Sequence, residues 1–241
     1  MPGGREGETQ RVGRYSLTKT RKDVEKEIAR RLRARLTGGE VYERFNIAPT
    51  QEVLAVVQNR DGRRGERLRW GLVPRWAKQA KTGLTMINAR AETLARSSTY
   101  GGLVERGSHR CLVLADGFYE WIKAEDPRQP PRPLRFSLVS GTTFCFAGLW
   151  TTWTGPEGEV VPSCTIVTTA ANDLVRPVHD RMPVVLGDAA SCEAWLDPAL
   201  DAGAVAPLLG PLPDESMAVA PANPAMNSPD YDEPECLVAP A

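Results

Sequence analysis

Residues 110–123, RCLVLADGFYEWIK, constrain the fold of this chain more than any other stretch. Cys111 to Leu114 is a short apolar run, and Asp116-Gly117 is typical of a turn or a bulge. Phe118 to Ile122 is aromatic and β-branched, which favours a second strand. The stretch therefore predicts two β-strands that are separated at Asp116-Gly117.

Glu120 is the unusual residue of this stretch. Strand alternation puts it on one face with Phe118 and Ile122, while Tyr119 and Trp121 take the other face. A charge between large apolar groups is costly unless it is paired, so we expect the pKa of Glu120 to be raised. The residue is either a proton-transfer group or a structural glutamate in an ion pair or at a strand edge.

The rest of the chain alternates between short strands and a few helices. Helices are predicted from the N-cap Thr20 to Gly38-Gly39, around Leu94–Val104, and over Asp188–Leu196 with Asp188 as the cap. Further strands are predicted at Val12–Leu17, Val53–Gln58, Arg67–Val73, Leu134–Val139, Thr143–Leu149 and Ser163–Thr169. This order predicts an α+β fold, a single mixed domain over residues 12–241 dominated by antiparallel strands with a few peripheral helices. Residues 1–11 read as a disordered leader.

Several classes of function lack their sequence signatures. There is no GxGxxG, GxxxxGK[ST], GxSxG or HExxH motif, which disfavours dinucleotide binding, P-loop hydrolysis, the α/β-hydrolase elbow and zincin chemistry. The five cysteines form no CxxC pair, so neither a zinc site nor a disulfide framework is indicated, and we expect no metal and no cofactor. The absence of an apolar export signal or a membrane-spanning segment favours a cytoplasmic location, with no membrane partner.

The net charge of zero hides a strong asymmetry. Residues 1–135 contain 28 Lys and Arg against 16 Asp and Glu, whereas residues 136–241 contain 2 against 14. A basic half of this kind suggests a surface for a polyanion such as nucleic acid. The alternatives are that the two halves pair with each other or that the charges are simply solvated.

The chain has two histidines, His109 and His179. His109 lies in the polar loop ERGSHR and is interpreted as a surface residue. His179 stands before Asp180 and Arg181 in a polar loop between apolar runs, which makes it either a general acid or base or a loop histidine held by hydrogen bonds.

A series of motifs in one order resembles the SOS response-associated peptidase (SRAP) family of abasic-site processing proteins. The matching segments are GRY at 13–15, FNIAPT at 45–50, WGLVPRW at 70–76, INARAET at 87–93, residues 111–121 and VHDRMP at 178–183, with a looser match over 219–237. They span nearly the whole chain from Val12 onward. The match depends on their number and order, since no single motif decides it.

The resemblance implies a protein of the DNA damage (SOS) response that shields abasic sites in single-stranded DNA. In the family, an N-terminal cysteine reacts with the sugar aldehyde through its amine and thiol to give a covalent thiazolidine link. The assisting asparagine, glutamate and histidine match Asn88, Glu120 and His179. The residues that suit contacts to phosphates or bases are Arg14, Arg75, Trp76 and Arg90. We expect a monomer that needs no partner other than the DNA.

The sequence departs from the family at the nucleophile. The cysteine should directly precede Gly-Arg-Tyr, and Val12 stands there instead, with no cysteine before Cys111. A thiazolidine cannot form without a thiol. The chain is then a non-catalytic binder of single-stranded DNA, or a Schiff-base lyase that uses the amine of Val12 after cleavage behind Arg11, or a protein that uses the amine of Pro2. A true peptidase is the remaining alternative, although no serine or cysteine has an adjacent base.

Overall fold

The computed structural model describes residues 13–36, 43–124, 126 and 128–239, without the side chains of 83–85. The strands are β1 (Arg14–Leu17), β2 (Arg35–Leu36), β3 (Arg44–Ile47), β4 (Glu52–Asn59), β5 (Gly62–Trp70), β6 (Asn88–Arg90), β7 (Arg110–Ala115), β8 (Gly117–Ile122), β9 (Arg132–Leu138), β10 (Phe144–Thr154), β11 (Val160–Ala170), β12 (Arg181–Pro183), β13 (Val185–Leu186) and β14 (Met217–Pro221). The α-helices are α1 (Arg21–Leu32), α2 (Gly101–Val104), α3 (Ala189–Leu196) and α4 (Ala202–Val205). Short 3-10 helices lie at Ala80–Thr85, Ala91–Thr93, Gly107–His109, Ala206–Leu209, Asp214–Ser216, Pro224–Asn227 and Pro234–Leu237.

The larger sheet closes into a β-barrel. Strands β11, β10, β7, β4 and β5 follow one another through antiparallel pairs, and the ring is closed where β11 meets β5 in parallel. Strands β6 and β12 add to β11, β13 adds to β10, and β2 adds to β5. A second, antiparallel sheet has the order β14-β9-β8-β1-β3. The predicted α+β fold dominated by antiparallel strands is confirmed.

The Asp116-Gly117 step is where the chain passes from the barrel into the second sheet. Strand β7 belongs to the barrel and β8 to the second sheet. The buried carboxylate of Asp116 accepts hydrogen bonds from Ser16 Oγ at 2.7 Å, from the Thr18 amide at 2.6 Å and from Arg135 Nη2 at 3.0 Å. A Cβ atom at Gly117 would lie 2.5 Å from Arg135 Nε, so the close approach of this arginine requires glycine.

The two sheets share one hydrophobic core. Tyr15 on β1 packs edge-on against Trp70 and Phe146 of the barrel, with ring centroids 5.4 and 5.5 Å apart. Helix α3 covers the barrel from outside, where Trp195 is fully buried and donates to the Cys111 carbonyl oxygen at 2.9 Å. These aromatic contacts fix the orientation of β1 and β8, which carry the candidate site.

Helix α1 begins as predicted and ends early. The side chain of Thr20 accepts from the Asp23 amide, but Arg33 takes a left-handed conformation with φ of 51° and ends the helix at Leu32. Leu36, predicted on the helical stripe, lies in β2 instead. The predicted stop at Gly38-Gly39 falls outside the described residues, as do the leader at 1–11 and Val12.

The helix predicted around Leu94–Val104 is wrong. The segment contains turns after the 3-10 helix, and only Gly101–Val104 is helical. Two adjacent glycines at its start explain the short length, since glycine is a poor helix former. Helix α3 was predicted within one residue, and the Asp188 carboxylate caps it by accepting from the Ser191 amide at 2.9 Å.

The C-terminal segment is tied back to the N-terminal strands. The Asn46 side-chain amide donates to the carbonyl oxygens of Met226, Ser228 and Tyr231 at 2.8–3.0 Å. The carboxylate of Asp232 accepts from the backbone amide of Asn46 at 2.7 Å. Residues 226–232 therefore form a strap across β3, called the C-terminal strap below.

The described ranges contain neither a membrane-spanning helix nor a metal cluster. No helix there combines the length and the apolar character needed to cross a bilayer. Within the same residues, no three His, Cys, Asp or Glu side chains cluster as they would to hold a metal ion.

Candidate active site

Glu120 lies in the middle of β8 and is only 2% exposed. Among the described residues, its Oε1 atom has no hydrogen-bond partner. Burial, helped by the negative charge of Asp180, raises the pKa of Glu120 from 4.5 to about 8. The carboxyl group is therefore mostly protonated near neutral pH. A raised pKa of Glu120 is also what the sequence predicts.

The loop that carries His179 also carries Asp180, whose negative charge adds to the raised pKa of Glu120. The loop is closed by hydrogen bonds from the Ala171 amide to the Asp180 carbonyl oxygen and from the His179 amide to the Val175 carbonyl oxygen, both 3.0 Å. His179 is 8% exposed. Asp180 was not among the site residues predicted from the sequence, although its charge acts on Glu120. Its position directly after His179 could have pointed to it.

The ring of His179 is held by the backbone of Arg181. Its Nδ1 atom lies 2.9 Å from the Arg181 amide nitrogen and 3.0 Å from the Arg181 carbonyl oxygen. The amide can only donate, so the neutral ring accepts at Nδ1 and carries its proton on Nε2. The backbone of Arg181 therefore fixes the orientation of the imidazole.

Asn88 starts β6, where it pairs with Ile166 of β11. The segment after it is joined to the His179 loop by an ion pair, in which both guanidinium Nη atoms of Arg181 contact the carboxylate of Glu92 at 2.7 and 2.9 Å. Strand β12, which begins at Arg181, also pairs with β11. The segments of Asn88 and His179 are therefore fixed to the same strand.

Strand β1 begins near Glu120 and runs away from it. It is antiparallel to β8, with Arg14 opposite Tyr119 and Tyr15 opposite Phe118. Extended by one residue beyond the paired positions, this register leads from Gly13 towards Glu120. Val12 precedes Gly13 in the sequence and lies outside the described residues.

No thiol takes the place of the missing cysteine in the described part of the chain. The five cysteines, Cys111, Cys145, Cys164, Cys192 and Cys236, are buried and free. Burial raises the pKa of the Cys111 thiol well above its ordinary value, which keeps it protonated and unreactive.

The residues predicted to contact DNA differ in how far they are buried. Arg14 is half-buried and donates from Nη1 to Asn46 Oδ1 at 3.0 Å and to the Met226 carbonyl oxygen at 2.9 Å, so it also holds the C-terminal strap. Arg75 and Trp76 line one cavity of about 220 Å³, and the Trp76 side chain is 65% exposed. Arg90 is exposed at the end of β6.

Some charges of the basic first half are neutralised by ion pairs with the acidic second half. Basic residues of the first half pair with acids of the second, as in Arg63 with Glu193 at 2.7 Å and Arg44 with Asp232. In the part of the chain that the structure describes, Arg75 and Arg90 make no ion pair and stay accessible. Pairing between the two halves therefore accounts for part of the asymmetry, and a surface for a polyanion stays a prediction.

The sequence matches a known protein family. The family model described as SOS response associated peptidase (SRAP) matches residues 12–229. The chain is 41% identical over 203 residues to the abasic site processing protein YoqW of Bacillus subtilis, covering 84% of this chain and 88% of that protein. It is 34% identical over 191 residues to the abasic site processing protein HMCES of Gallus gallus, covering 71% of this chain and 56% of that protein.

Solved structures share the fold. A Bacteroides thetaiotaomicron protein superposes with a TM-score of 0.71 at 22% identity, over 81% of this chain and 85% of that one. A phage-related protein of Bordetella bronchiseptica superposes with a TM-score of 0.64 at 30% identity, over 87% of this chain and 93% of that one. With the barrel, the buried glutamate and the ordered motifs in agreement, the chain belongs to the SOS response associated peptidase (SRAP) family, whose relatives YoqW and HMCES are named abasic site processing proteins.

Proposed function

We propose that this chain binds abasic sites in single-stranded DNA and joins to them through an imine rather than a thiazolidine. The nucleophile is the backbone amine of Val12, freed by cleavage behind Arg11. Glu120 is the proton donor. The observation that carries the proposal is the buried carboxyl group of Glu120, with its pKa near 8, next in β8 to Tyr119, which pairs with Arg14 at the start of β1.

A buried glutamate of this kind is costly, which favours a chemical role over a purely structural one. It has neither an ion pair nor a hydrogen bond at Oε1 among the described residues. A structural carboxylate would be paired to offset its desolvation. A general acid, by contrast, needs a pKa near the working pH. This argument also disfavours a binder that has lost all chemistry.

The reaction follows from these groups. The amine nitrogen attacks C1′ of the ring-opened sugar, forming the N–C bond while its proton moves to the former aldehyde oxygen. Glu120 then donates its proton to the hydroxyl group, which leaves as water and gives the protonated imine. Asn88 hydrogen-bonds the sugar oxygen. His179 takes one proton, either from the imine nitrogen, which gives the neutral imine, or from C2′. In the second case the C2′–H electrons form a C2′–C3′ double bond, the C3′–O bond breaks and the 3′ phosphate leaves, which is lyase chemistry.

Recognition of the strand rests on the accessible basic residues. Arg75 and Arg90 suit phosphate contacts, and the exposed Trp76 suits stacking on a base. Arg14 contributes to the site mainly by holding the C-terminal strap next to Gly13. One copy of the chain carries all these groups, so we expect a monomer, which light scattering of the purified protein would check.

Intact mass spectrometry of the purified chain shows first whether residues 1–11 are removed. The full chain and a chain that starts at Val12 are then incubated with single-stranded DNA containing one abasic site, with and without borohydride. We expect an adduct only for the chain that starts at Val12, and only after reduction, because borohydride converts the imine to a stable amine.

Three controls make the result specific. In the chain that starts at residue 12, Val12→Cys should restore an adduct that needs no borohydride. Glu120→Gln should slow adduct formation by about a hundredfold or more, the usual contribution of a general acid, while leaving DNA binding intact. A tetrahydrofuran analogue of the abasic site, which lacks the aldehyde, should bind without an adduct. Tight binding with no trapped adduct would refute the imine and leave a non-covalent binder, and no affinity for single-stranded DNA would refute the whole proposal.

A further inference from the structure

We infer that Cys145 and Cys192 form a dithiol pair that a peroxide oxidises reversibly to a disulfide. Cys145 lies on β10, and Cys192 lies in the first turn of α3. Both are free thiols in this structure, and neither takes part in the reaction proposed above. The disulfide would join helix α3 to the barrel by a covalent bond.

Leu186 lies next to both thiols. Strand β13 is antiparallel to β10 and pairs Leu186 with Cys145. The Sγ atom of Cys192 lies 3.7 Å from the carbonyl oxygen of Leu186, to which the thiol can donate. The two thiols also form a hydrogen bond with each other. The fold therefore holds the two buried sulfur atoms side by side, as formation of a disulfide requires.

The guanidinium group of Arg31 lies beside Cys192. Its Nη2 atom is 3.6 Å from Cys192 Sγ and 3.1 Å from the carbonyl oxygen of Leu186. Its Nη1 atom donates to the carbonyl oxygen of Thr143 at 2.8 Å and to the carboxylate of Glu27 at 3.1 Å. These contacts fix the cation next to the sulfur atom.

The two thiols differ in how easily they ionise. The hydrogen bond from Cys145 lowers the pKa of Cys192, and the charge of Arg31 lowers it further, against the opposing effects of burial and of Asp188. The same hydrogen bond, together with burial, raises the pKa of Cys145. Because the thiolate is the nucleophilic form, Cys192 attacks the oxidant first and Cys145 is the resolving thiol.

A cavity of about 820 Å³ gives a small oxidant a route to this pair. Arg31 lines the cavity and also contacts Cys192, so movement of one side chain opens a path from the cavity to the sulfur atom. Thr143, two residues before Cys145, lines the same cavity. Hydrogen peroxide is small and uncharged, which suits it to enter such a site.

The oxidation has two steps. The Cys192 thiolate attacks one oxygen of hydrogen peroxide, so that an S–O bond forms, the O–O bond breaks, and the released hydroxide takes a proton from solvent. The sulfur of Cys145 then attacks the sulfenic sulfur, the S–S bond forms, and the hydroxyl group leaves with the Cys145 proton as water. The two thiols lose two electrons and the peroxide gains them. A dithiol reductant reverses the change by thiol–disulfide exchange and is itself oxidised.

Two other cysteines provide a control within the same molecule. Cys111 on β7 and Cys164 on β11 are fully buried in the barrel. Burial raises the pKa of both thiols, and Cys164 adds to the effect on Cys111. Both thiols stay protonated, so dilute peroxide should leave them reduced.

The test uses the full chain with all five cysteines. The protein is treated with dilute hydrogen peroxide, the remaining thiols are blocked with N-ethylmaleimide, and a digest is analysed by mass spectrometry without reduction. We expect one pair of peptides joined through Cys145 and Cys192, which dithiothreitol separates. In Cys145→Ser, dimedone should label a sulfenic acid at Cys192, whereas Cys192→Ser should give no label at Cys145.

Arg31→Gln tests the role of the cation. It should slow formation of the link by about tenfold or more, because loss of the neighbouring positive charge leaves far less thiolate, and Arg31→Lys should recover part of the rate. Arg30→Gln is the matched control, since Arg30 is exposed on the same helix and lines the same cavity. Melting temperatures establish that the variants fold, and the two serine variants test the pair independently of Arg31.

Three results would overturn the inference. They are the absence of a link that dithiothreitol separates, oxidation of Cys111 or Cys164 as fast as that of Cys192, and a dimedone label at Cys145 in Cys192→Ser. An unchanged rate in a folded Arg31→Gln protein would overturn the role of the cation. None of these measurements involves DNA, so they stand apart from the test of the proposed function.

Discussion

Replacing Glu120 by glutamine should reverse a pH-dependent loss of stability. Burial raises the pKa of Glu120 from 4.5 to about 8, so the folded state holds this proton more tightly than the unfolded state. Below pH 4.5 both states are protonated, and the group costs nothing. As the pH rises towards about 8, the unfolded state ionises freely and the folded state does not, so the free energy of unfolding falls.

The magnitude follows from the size of the shift. Each pH unit between the two pKa values costs about 1.4 kcal/mol, which gives about 4 kcal/mol at pH 7.5 and about 5 kcal/mol above both values. Glutamine has the shape of the protonated carboxyl group and does not ionise. The variant should therefore match the unaltered protein near pH 4.5 and exceed its stability by about 4 kcal/mol at pH 7.5.

Urea unfolding of both proteins from about pH 5 to pH 8.5 measures this difference. In thermal melts the same free energy corresponds to about 8–16 °C at pH 7.5 for a chain of this size. Glu157→Gln is the matched control, because Glu157 is exposed in the turn between β10 and β11 and should leave the pH profile unchanged. Parallel profiles for Glu120→Gln and the unaltered protein would refute the proposed burial of a protonated carboxyl group.

Three further predictions concern the supports of the site. Asp180→Asn removes the negative charge that adds to the raised pKa of Glu120, so the pH midpoint of the Glu120 effect should move down, as measured by the same unfolding profiles. Asp116→Ala leaves Arg135 without its buried partner and should lower the free energy of unfolding by about 3–5 kcal/mol, with Asp116→Asn losing less. Asn46→Ala removes three hydrogen bonds to the C-terminal strap, which should be cleaved faster in limited proteolysis, whereas Asn59→Ala should not change the rate.

Much of the fold could be predicted from local sequence patterns, because strand alternation and helix capping are set by residues that are close in the sequence. Strand alternation identified β7 and β8 and the buried face of Glu120, and the carboxylate of Asp188 identified the start of α3. Local patterns failed where a distant contact or a single backbone angle decides the outcome. The left-handed conformation of Arg33 ends α1 although the apolar stripe continues to Leu36.

The candidate site was only partly predictable for the same reason. Asn88, Glu120 and His179 follow from the motifs, but the motifs give no distances. The charge of Asp180 acts on Glu120 although the two residues are far apart in the sequence. The loop after β11 also contacts the second sheet at a distance along the chain, since Asn172 Nδ2 lies 3.3 Å from Met217 Sδ on β14. The parallel closure of the barrel between β11 and β5 likewise joins segments almost a hundred residues apart, and no local signal specifies that pairing.

The C-terminal strap has a consequence for how the protein folds. Asn46 and Arg14 find partners in residues 226–232, which are 180 to 212 residues away in the chain. Such distant contacts carry a large loop-closure entropy and slow folding. During synthesis the strands β1 and β3 emerge first, yet they gain these partners only after residues 226–232 have left the ribosome. Strands β1 and β3 and the C-terminal strap are therefore completed together, and the candidate active site near the start of β1 is among the last parts of the domain to form.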